Sequence, residues 1–149
     1  MKNTTKLVIL GMTSILFLSG MLTASATCGC NEGLSPGFWK NHTNQWHCLS
    51  PCQTLTSAGF IIPAELAELR NVNLIDALKF KGGNGEIGMA RILLRSAVAA
   101  LLNACDPDIN YPLTSCEIKN RVNSALDGSR CQMECLYKTL DYYNNLGLY

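Results

Sequence analysis

Apolar side chains recur every three or four residues along most of this chain, which is the spacing of an amphipathic α-helix. The longest such run covers residues 86–104, where a wide apolar arc lies opposite arginine and small polar residues. A wide apolar arc indicates a helix that other elements surround, so this run predicts the central helix. The arc comprises Leu93, Leu94, Ala97, Ala100, Leu101 and Ala104.

Two capping boxes predict the helices that follow the central one. Thr114 with Glu117, and Ser129 with Gln132, have the spacing at which an N-cap side chain and the third helical residue exchange hydrogen bonds. We expect the second of these helices to end near Gly147, because glycine commonly follows a helix C-terminus.

Weaker patterns predict three short helices before the central one. Ser35 and Pro36 are typical of an N-cap and a first helical residue, so a helix is expected from Pro36 to about Trp46. Segments 63–69 and 73–80 follow, and the sequence KGGNGE ends the second. We therefore predict an all-α fold: a disulfide-stapled bundle of about five helices with an irregular, cysteine-rich N-terminal segment.

The first 26 residues have the organisation of a signal peptide. A short basic start precedes the apolar run Leu7–Leu22, and Ala24 and Ala26 supply small residues before a cleavage site. We predict cleavage after Ala26, which leaves residues 27–149 as a single helical, disulfide-rich domain that is secreted or held at the cell surface. The alternative is a retained N-terminal anchor.

Charge narrows the range of partners. The chain has 12 basic and 11 acidic side chains, and removal of Lys2 and Lys6 leaves ten and eleven, a net charge of −1. This balance argues against nucleic acid and against electrostatic binding to a membrane. We also expect no further segment of membrane-spanning length after the signal peptide, and the oligomeric state stays open.

Eight cysteines follow the predicted signal peptide, and an even number in a small exported domain indicates disulfide bonds. Cys105 and Cys116 flank one interhelix loop, so we expect them to pair. The other six form three close doublets in which internal pairing is strained, so each doublet is expected to bridge both others. The alternative is a metal cluster of the first four cysteines with His42 and His47. The eight are Cys28, Cys30, Cys48, Cys52, Cys105, Cys116, Cys131 and Cys135.

Four stretches of the sequence together resemble a family of exported bacterial and archaeal proteins. They are SPGFWKNHTNQW, LIDALKFKGGNGEIGMARILLRSAVAALLNA, YPLT and LDYYNNLG, and they span Ser35 to about Gly147. That family carries a Thr/Ser-Pro-Gly-Tyr/Phe-Trp-Lys-Asn-His motif followed by a helical block, and no activity is established for it. The resemblance implies export and one continuous fold rather than a mechanism. The last four cysteines look additional to the family pattern.

The aromatic segment is the predicted contact surface. On a continuous helix, Trp39, His42 and Trp46 share one face, with Lys40 and Asn41 beside it. Ring stacking and convergent hydrogen bonds on such a face suit a glycan or a peptide, so a cell-surface glycan or protein is the expected partner. The alternative is a structural role, in which both tryptophans anchor the helix in the core.

A small secreted hydrolase is the competing hypothesis. His42 and His47 are the side chains that titrate near neutral pH, and either one would serve as the base. No serine or aspartate stands beside them in the sequence, although folding could bring Glu134 or Asp141 near, and no cysteine is free to act as a nucleophile if all eight pair. We therefore favour a binding or structural module over an enzyme.

The loop after the central helix resembles a calcium-binding loop in spacing. Four oxygen-bearing residues occupy positions 1, 3, 5 and 12, but Tyr111 stands where such loops have glycine, and Pro112 restricts it further. The alternative is an ordinary capped loop, and no other cofactor is expected. The four residues are Asp106, Asp108, Asn110 and Glu117.

Overall fold

Five α-helices and two 3-10 turns form the regular structure of residues 29–148, the part of the chain that the computed structural model describes. No strand forms within these residues, which contain only isolated bridges, so the all-α prediction with about five helices is confirmed. The predicted signal peptide lies outside the described residues. The helices are α1 (Pro36–Asn41), α2 (Leu74–Ala77), α3 (Gly85–Cys105), α4 (Ser115–Leu126) and α5 (Arg130–Asn144), and the 3-10 turns are Thr43–Gln45 and Ala64–Leu69.

Helix α3 is the central helix, because it packs against α1, α2, α4 and α5. Leu93 and Leu94 are fully buried, and so are Ser96 and Asn103 from the polar side of its helical wheel. By length and composition α3 is apolar enough to cross a membrane, contrary to the expectation that no such segment follows the signal peptide. However, 72% of its most apolar window is buried inside the fold, as the core helix of a globular domain requires.

Both predicted capping boxes are present. The Glu117 N–H donates to the Thr114 hydroxyl, and the Thr114 N–H donates to the Glu117 carboxylate at 2.9 Å. Ser129 and Gln132 exchange the same pair of hydrogen bonds at the start of α5. These local pairs fix where α4 and α5 begin, while α5 ends at Asn144, earlier than predicted.

The middle of the chain is less helical than predicted. Of segment 63–69, Ala64–Leu69 forms a 3-10 turn that is interrupted at Leu66, and only Leu74–Ala77 of segment 73–80 is α-helical. Segment 73–80 ends in tighter turns, because the Lys79 and Phe80 N–H groups donate to carbonyls only three residues back, those of Asp76 and Ala77. A neighbouring loop is bonded at the boundary between the two segments, where Leu55 N–H donates to the Val72 carbonyl and Leu74 N–H to the Gln53 carbonyl.

Backbone hydrogen bonds attach the N-terminal segment, just before α1, to two other parts of the fold. The Glu32 N–H donates to the Asn110 carbonyl at 3.0 Å, and Gly33 exchanges two backbone hydrogen bonds with Gly147. A side chain on Gly33 would collide with the Tyr143 carbonyl, so the close approach to α5 requires glycine here. These contacts lay residues 34–48 across one end of α3 and α5.

The structure corrects the predicted disulfide pairing. Cys105 is bonded to Cys48, with their Cα atoms 6.1 Å apart, so the Cys105–Cys116 prediction is wrong. The reason is that the pinned N-terminal segment brings Cys48 to the end of α3, whereas Cys116 faces outwards in the first turn of α4 near Asn120. The prediction that each of the three doublets bridges both others is also wrong, because Cys48 is bonded to Cys105, which belongs to none of them. Cys28 lies outside the described residues, and the remaining cysteines are exposed and unbonded: Cys30, Cys52, Cys116, Cys131 and Cys135.

Candidate functional site

The aromatic segment does not form one continuous helix. The Ser35 hydroxyl accepts a hydrogen bond from Phe38 N–H and begins α1, as predicted. The helix ends at Asn41, because His42 adopts a non-helical backbone conformation with φ −124° and ψ 51°. A separate 3-10 turn then precedes Trp46, so the predicted single face with Trp39, His42 and Trp46 is not formed.

Trp39 is a core residue. It is only 1% exposed, and its indole N–H donates to the side-chain oxygen of Asn103 at 3.0 Å. Asn103 is itself fully buried: its oxygen also accepts from Leu34 N–H, and its amide donates to the Leu34 carbonyl and to Asn144. All the hydrogen-bonding capacity of this buried amide is therefore used: three bonds hold the segment onto α3, and the fourth goes to α5.

Asn144 extends this buried network to α5. Its side-chain oxygen accepts from Asn103 and from the Tyr111 hydroxyl at 2.9 Å, and its amide donates to the Ser96 carbonyl. Burial, with a smaller contribution from Tyr143, raises the pKa of the Tyr111 phenol well above its ordinary value. Tyr111 therefore stays neutral and remains a hydrogen-bond donor.

The other predicted contact residues lie nearer the surface. Lys40 and Asn41 are exposed, and the Asn41 amide caps the Gly37 carbonyl. His42 and Trp46 are half-buried, and the Trp46 indole N–H donates to the Trp39 carbonyl.

The ring of His42 is held by Phe38. The two rings stack with centroids 4.1 Å apart, and His42 Nδ1 lies 2.8 Å from the Phe38 carbonyl oxygen. A carbonyl only accepts, so this contact places the proton on Nδ1.

A cleft of about 380 Å³ opens beside this segment, and we call it the His47 cleft. It lies between the segment before Cys48, the loop that follows α3 and the C-terminal Leu148. An apolar wall with a few polar groups is the usual make-up of a ligand site. The wall is apolar at Leu34, Phe38 and Ile109 and polar at Asn44, Gln45 and Asp108.

A histidine and a carboxylate face each other in this cleft. His47 Nε2 lies 3.7 Å from Asp106 Oδ2, and their side chains are 58% and 11% exposed. Asp106 is further fixed by the Asp108 N–H, which donates to Oδ1 at 3.0 Å. The neighbours of these two residues are Cys48 and Cys105, so the disulfide itself sets the pair in place. Sequence reasoning singled out both residues for separate roles and missed their pairing, because it paired Cys105 wrongly.

The residues of the predicted calcium loop have other partners. Both hydrogen bonds that Thr114 donates go to the Glu117 carboxylate, and Asn110 donates its amide to the carbonyls of Gly29 and Cys30. Within residues 29–148, no three histidine, cysteine, aspartate or glutamate side chains are arranged to hold a metal ion.

The alternative cysteine and histidine cluster also loses a ligand. Cys48 is oxidised in the disulfide, so it has no thiolate to offer a metal.

Comparison of the chain with protein-family models, with curated proteins and with solved structures gives no match. The class of protein is therefore defined by its fold, an all-α domain with an internal disulfide bond. Such a bond is typical of an oxidising compartment and compatible with an extracellular, covalently stabilised module.

Proposed function

We propose that this protein is an exported binding module of the cell surface or extracellular space, and that it holds a glycan in the His47 cleft. The observation that carries the proposal is the disulfide-fixed pair of His47 and Asp106 at the edge of a partly apolar cleft. The signal-peptide pattern and the resemblance to exported proteins support the same location. Because Trp39 is buried, we assign the contact surface to this neighbouring cleft rather than to the predicted aromatic face.

A glycan suits the chemistry of the cleft better than an apolar ligand. Sugar hydroxyl groups need acceptors and donors, and the lining supplies them at Asp106, Asp108, Asn44 and Gln45. The C–H faces of a sugar ring need an aromatic or aliphatic surface, which Phe38, Leu34 and Ile109 supply in the same cleft. Asp106 is held by a backbone N–H before any ligand arrives, so this carboxylate requires little ordering on binding.

The test is a screen of soluble oligosaccharides followed by calorimetric titration of those that bind. Asp106→Asn keeps an acceptor for the Asp108 N–H but removes the charge, and it should weaken binding about tenfold or more. Asp127→Asn, an exposed change outside this cleft, is the control and should leave affinity unchanged. Binding of peptides but of no oligosaccharide, or equal affinities for the two variants, would refute the glycan assignment.

A hydrolase remains the second candidate, with His47 rather than His42 as its base. His47 and Asp106 both line the cleft with Nε2 and Oδ2 3.7 Å apart, so a small shortening would let the carboxylate orient the base, whereas His42 does not line this cleft. A water molecule would be the nucleophile. Incubation of any bound glycan with the protein should then release products, and His47→Gln should abolish release while retaining binding.

A further inference from the structure

We infer that the protein has a second binding site, a basic cleft that takes an oxyanion such as a phosphate or carboxylate group. The basic cleft has a volume of about 310 Å³ and lies where α1, the segment after α2, α3 and the end of α5 meet. Four cationic side chains from separate parts of the chain line it: Lys40, Lys79, Lys81 and Arg95.

The concentration of positive charge is the first argument. The chain beyond the predicted signal peptide has a net charge of −1, yet four of its ten basic side chains line this one cleft. Among the described residues, Asp141 is the one acid in the lining, and Asp76 is paired with Lys79, so the formal charge there is four minus two, or +2. Like charges that share a cleft repel one another, and a bound anion relieves that repulsion.

The second argument is that two of the four cations, Lys40 and Lys81, have no acidic partner among the described residues. Lys79 forms an ion pair with Asp76 at 2.8 Å, and both side chains are about half exposed. Within residues 29–148, neither Lys40 nor Lys81 lies within ion-pair distance of a carboxylate. Their ammonium groups are therefore available to a ligand.

Arg95 gives the basic cleft a fixed donor. It lies on α3 and is half-buried, and its Nη1 donates to the Phe80 carbonyl at 3.1 Å. A guanidinium has five N–H donors, so one anchoring bond leaves most of them for an oxyanion. The planar guanidinium matches two oxygens of a phosphate or carboxylate, and the flanking lysines add charge without fixed geometry.

The site is open, so it can accept either a free anion or one group of a longer polymer. Three probes separate these sources: inorganic phosphate, linear polyphosphate and oligogalacturonate, each titrated calorimetrically at low and at high salt. Binding of inorganic phosphate indicates a site for a free anion. Binding of only one polymer indicates an extended ligand with phosphate or carboxylate groups, and each of these results supports the inference. In every case affinity should fall at high salt, because the lysines are exposed and their charges are screened.

Two double variants test the location. Lys40→Gln with Lys81→Gln should weaken binding at least about tenfold, because two charge-assisted contacts are lost. Arg121→Gln with Lys138→Gln removes the same charge from exposed positions of α4 and α5 outside the basic cleft, and it should have little effect. Asp141→Asn removes the opposing charge from the lining and should strengthen binding about two- to fivefold.

The inference is overturned if none of the three probes binds, or if the Arg121/Lys138 pair weakens binding as much as the Lys40/Lys81 pair. Circular dichroism of each variant establishes that the fold is kept. The result is independent of the glycan proposal, because Asp106→Asn lies in the other cleft and should leave anion affinity unchanged.

Discussion

The indole N–H of Trp39 and the side-chain oxygen of Asn103 are joined by a buried hydrogen bond of 3.0 Å across 64 residues of sequence. Each partner is at most 1% exposed, and Asn103 also bonds both backbone groups of Leu34. The main role of the aromatic segment around Trp39 is therefore structural. The aromatic segment fastens the N-terminal segment to α3, and both candidate clefts depend on where that segment lies.

Replacing Asn103 with alanine should lower the free energy of unfolding by at least about 3 kcal/mol. The change leaves several buried groups without partners, including the Trp39 indole N–H, and each such group costs about 1–3 kcal/mol. Urea unfolding followed by tryptophan fluorescence measures the loss. Asn120→Ala on the exposed face of α4 is the control, expected within about 0.5 kcal/mol of the parent protein. Equal effects of the two changes would show that the network contributes nothing.

Loss of the Cys48–Cys105 bond should destabilise the protein by about 2–4 kcal/mol, because the bond closes a long loop in the unfolded chain. The double variant Cys48→Ser with Cys105→Ser, compared with the parent under oxidising conditions, gives the value. The double variant should also bind any ligand of the His47 cleft more weakly, since the disulfide positions both His47 and Asp106.

Cys116→Ser is the matched control for this prediction. Cys116 is exposed and unbonded, so its replacement should leave the Cys48–Cys105 peptide intact in a non-reducing digest and the melting temperature unchanged. Recovery of a Cys105–Cys116 peptide from the parent protein would contradict the structure and support the pairing expected from sequence.

Sequence patterns predicted the features that depend on near neighbours. The capping boxes at Thr114 and Ser129, the N-cap at Ser35 and the long apolar helix each involve residues within a few positions of one another, and all are present. A hydrogen bond between near neighbours does not depend on the rest of the fold, so the order of the helices could be predicted from sequence.

Contacts between distant parts of the chain explain what the sequence did not reveal. The break at His42 removed the predicted aromatic face, and the contact of Glu32 with Asn110 helped to bring Cys48 rather than Cys116 to Cys105. The pairing of His47 with Asp106 follows from that disulfide. No periodicity encodes any of these contacts, because each depends on how the loop after α3 meets the N-terminal segment.

Calcium should leave the melting temperature of the protein unchanged. The Glu117 carboxylate, which would close a calcium loop, accepts two hydrogen bonds from Thr114. These bonds lower the pKa of Glu117, and the bond from the backbone N–H has the larger effect. A ligand that bound only the folded protein would raise the melting temperature, so thermal unfolding with and without millimolar calcium is a direct test. A rise that Glu117→Gln abolishes would reinstate the calcium loop.

Titration of Glu117 offers a second measurement on the same residue. Its folded pKa is lower than in the unfolded chain, so its contribution to stability is present above the unfolded pKa and is lost as the pH falls through the folded value. Glu117→Gln should therefore flatten the acid side of the stability profile. The group is exposed, so we expect the effect to be small and to shrink in high salt.

Tyr111 should make the protein lose stability in alkali. Burial raises its folded pKa above the unfolded value of about 10, so the folded state holds this proton more tightly. The stabilisation is fully present below the unfolded pKa and is lost as the pH rises towards the folded one. Tyr111→Phe removes the titration together with the hydrogen bond to Asn144, so the variant should be about 1 kcal/mol less stable at neutral pH.

The difference between parent and Tyr111→Phe should therefore narrow as the pH is raised beyond about 10. Urea unfolding at neutral pH and in alkali measures both values. Tyr142→Phe serves as the control, because Tyr142 is 66% exposed and its replacement should change neither value. A gap that stays constant or widens in alkali would mean that Tyr111 ionises as readily in the fold as in the unfolded chain, and its role as the neutral donor to Asn144 would have to be given up.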